Sequence, residues 1–228
     1  MRIAEIYKSI QGEGLLTGTE SVFVRASGCN LRCWFCDTPF TSWAPEGNDL
    51  SVGEILSVIE EWDTPHVVVT GGEPMLFAEL IPLCNELHRR GRHITIETAG
   101  TLYLPVVCDL MSISPKLSNS TPTADEHRRW SHRHEMARHA PDVIHRLAAE
   151  YDYQFKFVVE SMEHCEEVEA YLLEFAHLDR SRVMLMPQGT DPEQLAKHAA
   201  WLEPYCRDTG LVFCPRQQIE WFGPVRGT

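Results

Sequence analysis

At 228 residues the chain is long enough to bury a full core and fits one domain. Its 43% hydrophobic and 23% charged residues describe an ordinary globular protein, with no apolar run long enough to cross a bilayer. A balance of 33 acidic against 20 basic residues, −13 net, would repel a phosphate backbone and speaks against nucleic acid as a partner. The Met1 to Glu5 start lacks a signal-peptide pattern, so a cytoplasmic chain with reduced thiols is expected.

In chain order, Ser9-Ile10-Gln11-Gly12-Glu13-Gly14 comes first: two glycines around a carboxylate can wrap a small polar ligand or simply turn. Ser21 to Ala26 reads as a strand, and Arg25 near its end could pair bidentately with a carboxylate. Cys29, Cys33 and Cys36 follow at spacings of three and two intervening residues. Three thiolates on one loop can each hold one iron of a cubane and leave the fourth iron open, whereas structural zinc sites close with four ligands. A zinc knuckle completed by His66 or another cysteine is the plain alternative. Cys84, Cys108, Cys165, Cys206 and Cys214 are scattered and read as small buried apolar residues.

Ser51 with Glu54 forms a capping box before an apolar helical stripe of Ile55, Leu56, Val58 and Ile59. The strand His66 to Thr70 ends in Gly71-Gly72-Glu73-Pro74, ahead of a helix from Met75 to about Arg90. Further strands fit His93 to Glu97, Val107 to Ser114, Gln154 to Val159, Arg182 to Met186 and Leu211 to Phe213. Helices fit Ser161 to His177 and Asp191 to Tyr205. Strands alternating with helices, without G-x-G-x-x-G, predict an α/β fold: a partial or modified (β/α) barrel of about six parallel strands, with its site on the carboxyl-terminal rim. Residues 117–150 break the rhythm with five histidines and mixed charge, predicting a polar helical insertion or flap in an otherwise single 1–228 domain.

The cysteine loop with Phe35 before its last cysteine, together with Gly71-Gly72-Glu73-Pro74, resembles the radical S-adenosylmethionine (SAM) enzymes. Gln11-Gly12-Glu13-Gly14, Cys36-Asp37-Thr38, Glu97-Thr98-Ala99-Gly100-Thr101 and Ser114-Pro115-Lys116 narrow the resemblance to the 7-carboxy-7-deazaguanine synthase family. It implies ring contraction of 6-carboxy-5,6,7,8-tetrahydropterin to 7-carboxy-7-deazaguanine with loss of ammonia, a step towards queuosine. It implies a [4Fe–4S] cluster on Cys29, Cys33 and Cys36, with SAM chelated to the open iron and a Mg²⁺ held through Thr38. Ile10, Gln11, Gly12, Glu13, Arg25 and Thr70 would meet the pterin. Phe35, Gly72, Glu73, Glu97, Ser114, Pro115 and Lys116 would bind SAM, with Met186, Pro187, Gln188 and Gly189 along its adenosine. A flavodoxin- or ferredoxin-like reductant and a homodimer are further implications.

Two positions depart from the family pattern. Ala99 stands where Asn or Ser is common, and Gln218 where His is expected, so Gln218 receives no role. The competing functions are a glycyl-radical-enzyme activase, which would act on a protein backbone, and a non-catalytic metal-binding or electron-carrier protein.

Overall fold

The computed structural model describes residues 1–228, and its backbone is organised by one open sheet of nine strands. In chain order these are β1 (Arg2–Ile10), β2 (Glu20–Ala26), β3 (Asn48–Asp49), β4 (His66–Gly71), β5 (His93–Thr98), β6 (Leu110–Ile113), β7 (Tyr153–Val159), β8 (Val183–Pro187) and β9 (Val212–Phe213). They lie in the spatial order β3-β1-β2-β4-β5-β6-β7-β8-β9. From β2 through β4 to β9 all neighbours are parallel, while β1 and β3 add antiparallel at the β2 edge. This is the partial barrel expected, with one more parallel strand than six and an unanticipated antiparallel edge. β1 escaped the sequence pattern because its register with β2 shifts between Ile3 and Glu5, and a bulge there breaks the period-two alternation.

Period two explains the rest of the sheet. Val22, Val24 and Ala26, Val67 and Val69, Ile94 and Ile96, and Phe155 and Phe157 share one face and form the apolar core. Covering helices are α2 (Val52–Ile59), α3 (Leu80–Arg89), α5 (Pro141–Glu150), α6 (Met162–Glu174) and α7 (Pro192–Thr209), while α1 (Pro39–Ser42), α4 (Ala124–Ala137) and α8 (Gln217–Phe222) complete the set. The capping box is formed: Glu54 N–H donates to Ser51 Oγ, and Ser51 N–H donates to the Glu54 carboxylate at 2.8 Å. None of the helices is long and apolar enough to cross a membrane.

Three expectations are corrected. The helix from Met75 splits into a short 3-10 turn at Pro74–Leu76 and α3, because the Glu73 side chain accepts from Met75 N–H and the chain is extended at Phe77. The strand from Val107 pairs only over Leu110–Ile113. Residues 117–150 contain both α4 and α5, and α5 sends Ile144 and Leu147 into the core as an ordinary crossover helix. Only α4 carries a largely exposed polar surface, and even there His134 is fully buried.

Candidate active site

The other face of the sheet is where the polar residues go. Arg25 on β2, Thr70 on β4, Glu97 on β5, Ser112 on β6, and Lys156 with Val158 on β7 all line one cavity of about 780 Å³. That size lies within the usual range of small-molecule sites, roughly 300–1,000 Å³. Every candidate named from the sequence lines this cavity except Glu73, Pro115 and Pro187. Glu73 lies beneath it, with no exposed surface. Its carboxylate accepts from Met75 N–H at 3.0 Å, Thr98 Oγ1 at 2.8 Å and Ala99 N–H at 2.9 Å, so it braces the ends of β4 and β5. Ala99 thus contributes through its backbone, which a missing side-chain amide or hydroxyl leaves intact.

All three loop cysteines face the cavity. Burial pushes the Cys29 thiol up to about 12, with the Glu73 charge adding to it, and burial pushes Cys33 to about 11. Thiols so placed stay protonated unless a soft metal displaces the protons. Two cations stand ready for the charge that would create. Arg32 is 9% exposed, makes no ion pair, and leaves its Nε without an acceptor beside Cys29 and Cys36. Lys116 is the only cation lining the cavity without a carboxylate partner, donating instead to Ser114 Oγ at 2.8 Å. An anionic iron–sulfur cluster and the carboxylate of an amino-acid chelate fit this donor set. His66 is no fourth ligand: it packs against His93, the rings tilted at 41° with centroids 4.7 Å apart, at the start of β4, the opposite end of the strand. Nor do any three His, Cys, Asp or Glu side chains converge on one ion, as a zinc tetrahedron requires.

Across the cavity runs a charged network assembled from distant segments. Lys156 Nζ donates to Glu13 at 3.0 Å and to Glu97 at 3.2 Å. Glu13 also accepts from Arg216 Nε at 3.4 Å and Gln218 Nε2 at 2.6 Å, and Arg216 pairs with Asp37. Glu97 further accepts from Thr70 Oγ1 at 2.7 Å and Gln11 Nε2 at 3.4 Å. Burial alone would raise Glu13, but the Lys156 and Arg216 charges outweigh it and hold the carboxyl at about 2. Burial would lower Lys156, and the carboxylates of Glu97 and Glu13 more than reverse that. Arg25 is engaged by Glu5 Oε1 at 2.7 Å and by the Tyr7 hydroxyl. Thr38 Oγ1 lies 3.8 Å from Cys36 Sγ and 3.3 Å from Thr41 Oγ1.

Lys156, Arg216, Glu5 and Tyr7 were not singled out by the sequence, and Gln218 now has a contact. The sequence signal for Lys156 was present: a lysine at the same parity as Gln154 in an otherwise apolar strand.

A profile of the radical SAM superfamily matches residues 23–135, which contain the cysteine loop and the β4 turn. A 7-carboxy-7-deazaguanine synthase from Rhodopirellula baltica is 45% identical over 99% of this chain and 88% of its own length. The chain belongs to the 7-carboxy-7-deazaguanine synthase family. Another member of that family, from Halobacterium salinarum, is 40% identical over 95% of this chain and 88% of its own length. QueE from Escherichia coli shares the fold, with a TM-score of 0.71 and 23% identity over 95% of this chain and 93% of that one. Family membership implies a cluster and SAM, which agrees with the three thiols of the cavity and with the unpaired cations Lys116, on its wall, and Arg32, behind the cysteine loop.

Proposed function

We infer that this chain is a radical SAM enzyme that contracts the ring of 6-carboxy-5,6,7,8-tetrahydropterin to 7-carboxy-7-deazaguanine and releases ammonia. The observation that carries the reading is one cavity in which the cysteine loop faces a buried carboxylate–lysine network, in a chain 45% identical to a family member of that name. Cys29, Cys33 and Cys36 would hold the cluster, which with bound SAM supplies the one-electron chemistry that begins hydrogen abstraction from the substrate. Lys116, lacking a carboxylate partner, suits the cofactor's carboxylate, and Gly72 offers backbone to its amino group.

On the substrate side, Arg25 is a planar fork already held by Glu5 and Tyr7, so a substrate carboxylate would meet a pre-oriented guanidinium. Glu97 and Glu13 would accept ring and amino N–H groups of the heterocycle, held in place by Lys156 between them and by Thr70, Gln11 and Gln218. Thr38 is proposed to help hold a Mg²⁺, a Lewis acid for the substrate carboxylate. A homodimer and a small one-electron carrier as reductant complete the reading. The glycyl-radical-activase alternative loses ground because a cavity lined by buried charge pairs suits a small polar ring better than a protein backbone.

The test is anaerobic incubation of iron-reconstituted protein with SAM, reductant, Mg²⁺ and the carboxypterin, followed by mass analysis. A product of the mass of 7-carboxy-7-deazaguanine is expected, with none from protein in which Cys29, Cys33 and Cys36 are replaced by alanine. SAM cleavage without that product would overturn the substrate assignment.

A further inference from the structure

Between Cys29 and Cys36 the loop's back is gripped by the polar segment 118–137. Arg32 N–H donates to His134 Nδ1 at 3.0 Å, so the imidazole proton must sit on Nε2. Nε2 lies 2.8 Å from Ser120 Oγ and donates to it, which orients the Ser120 hydroxyl towards Leu117 O at 2.6 Å. The chain of donors runs one way and leaves no atom of the imidazole unpaired. The same turn takes a second backbone amide: Trp34 N–H donates to Ser120 O at 3.1 Å, and Trp34 Nε1 donates to Asn119 O at 2.6 Å. The two tied amides flank Cys33. The Arg32 guanidinium is stacked over Trp130 of α4 at 4.2 Å, while its Nη1 donates to Cys29 O and Leu31 O, each at 2.7 Å.

His134 is fully buried on a helix whose other faces are mostly exposed, and nothing in the fold of the sheet requires an imidazole there. We propose that His134 is a positioning residue for the cluster: through Arg32 N–H and Ser120 it clamps the cysteine loop from behind and fixes where Cys33 presents its sulfur. Segment 118–137 is then a clasp on the loop. The inference rests on the reading of Cys29, Cys33 and Cys36 as cluster ligands.

Two measurements on the full chain test it. The first is hydrogen exchange, followed by mass spectrometry, on metal-free His134→Ala and His134→Asn proteins. The Asn amide oxygen occupies nearly the place of Nδ1 and can still accept from Arg32. Removing the acceptor is expected to speed exchange of the 29–36 amides about ten-fold, the scale of one lost hydrogen bond, while β4 to β8 stay protected and His134→Asn remains near wild type. The second is iron release from the reconstituted proteins to a chelator, expected about ten-fold faster in His134→Ala and largely restored in His134→Asn. Equal exchange in all three proteins overturns the proposal. So does faster exchange throughout the sheet, which would make His134 an ordinary core residue, or failure of Asn to rescue. Wild-type protein that binds no iron would instead sink the cluster reading, and the exchange result would still decide whether the clasp exists.

Discussion

At the scale of single residues, Lys156 decides the electrostatics of the cavity. It is only 5% exposed and stands between Glu13 and Glu97, which without it would be two carboxylates sharing one dry site. Lys156→Met keeps most of the volume and removes the charge. Breaking a buried ion pair from one side should cost about 3 kcal/mol of stability in denaturant unfolding. Product formation should fall about 100-fold because both carboxylates shift from their positions. Unchanged turnover would show that the network is not part of the site. The sequence exposed the cysteines because their spacing is local, and it exposed Arg25 and Glu97 because they end their strands. It could not expose the pairing of Lys156 with Glu13, 143 residues away, or of Arg216 with Asp37, 179 residues away. Such contacts exist only once the sheet order brings β7 and the C-terminal segment against the Gln11 loop.

At the scale of elements, the turn after β4 and the cysteine loop are fitted to each other through backbone. A Cβ on Gly72 would meet Gly28 O at 2.1 Å and Thr41 O at 2.8 Å. Both are main-chain atoms tied into the loop: Glu73 N–H donates to Gly28 O and Gly28 N–H to Thr41 O, each at 2.8 Å. Neither can yield as a flexible side chain would. Gly72→Ala should therefore cost about 3 kcal/mol by overpacking and lower the iron bound after reconstitution. Gly53 gives the contrast, since it lies inside α2 with open space around its Cβ direction. Gly53→Ala should raise stability by about 0.5–1 kcal/mol in the same unfolding experiment, through helix propensity and a less free unfolded chain. The glycine pair of β4 was legible as a turn, and its role in seating the cysteine loop was not. Likewise the capping box of α2 was legible because both partners lie within one turn. The clasp of α4 on the loop was hidden because His134 looks like one of five histidines in a polar stretch.

At the scale of the whole molecule, the surface and the cavity obey different charge rules. The exterior carries most of the −13 excess, while the cavity sets five cations against the four carboxylates of Glu5, Glu13, Asp37 and Glu97. Acid reaches the well-solvated surface carboxylates first, at little cost to the fold, whereas protonating the cavity's paired carboxylates removes stability. Glu13 is the clearest case: it titrates at about 2 in the folded chain, well below an unfolded glutamate near 4.3. Between those values the unfolded state binds a proton that the folded state refuses. The stability from Glu13 is therefore complete above about pH 5 and disappears as pH falls towards 2, an effect of about 3 kcal/mol. Glu73 works in the opposite direction, because burial raises it and folding is relieved when it takes up a proton. Comparing metal-free wild type with Glu13→Gln isolates the first term. The gap between their unfolding free energies should be widest near neutral pH and shrink steadily below pH 4.5. A gap that stays constant down to pH 2 would mean that Glu13 titrates alike in the folded and unfolded chain, so that Lys156 and Arg216 do not depress it.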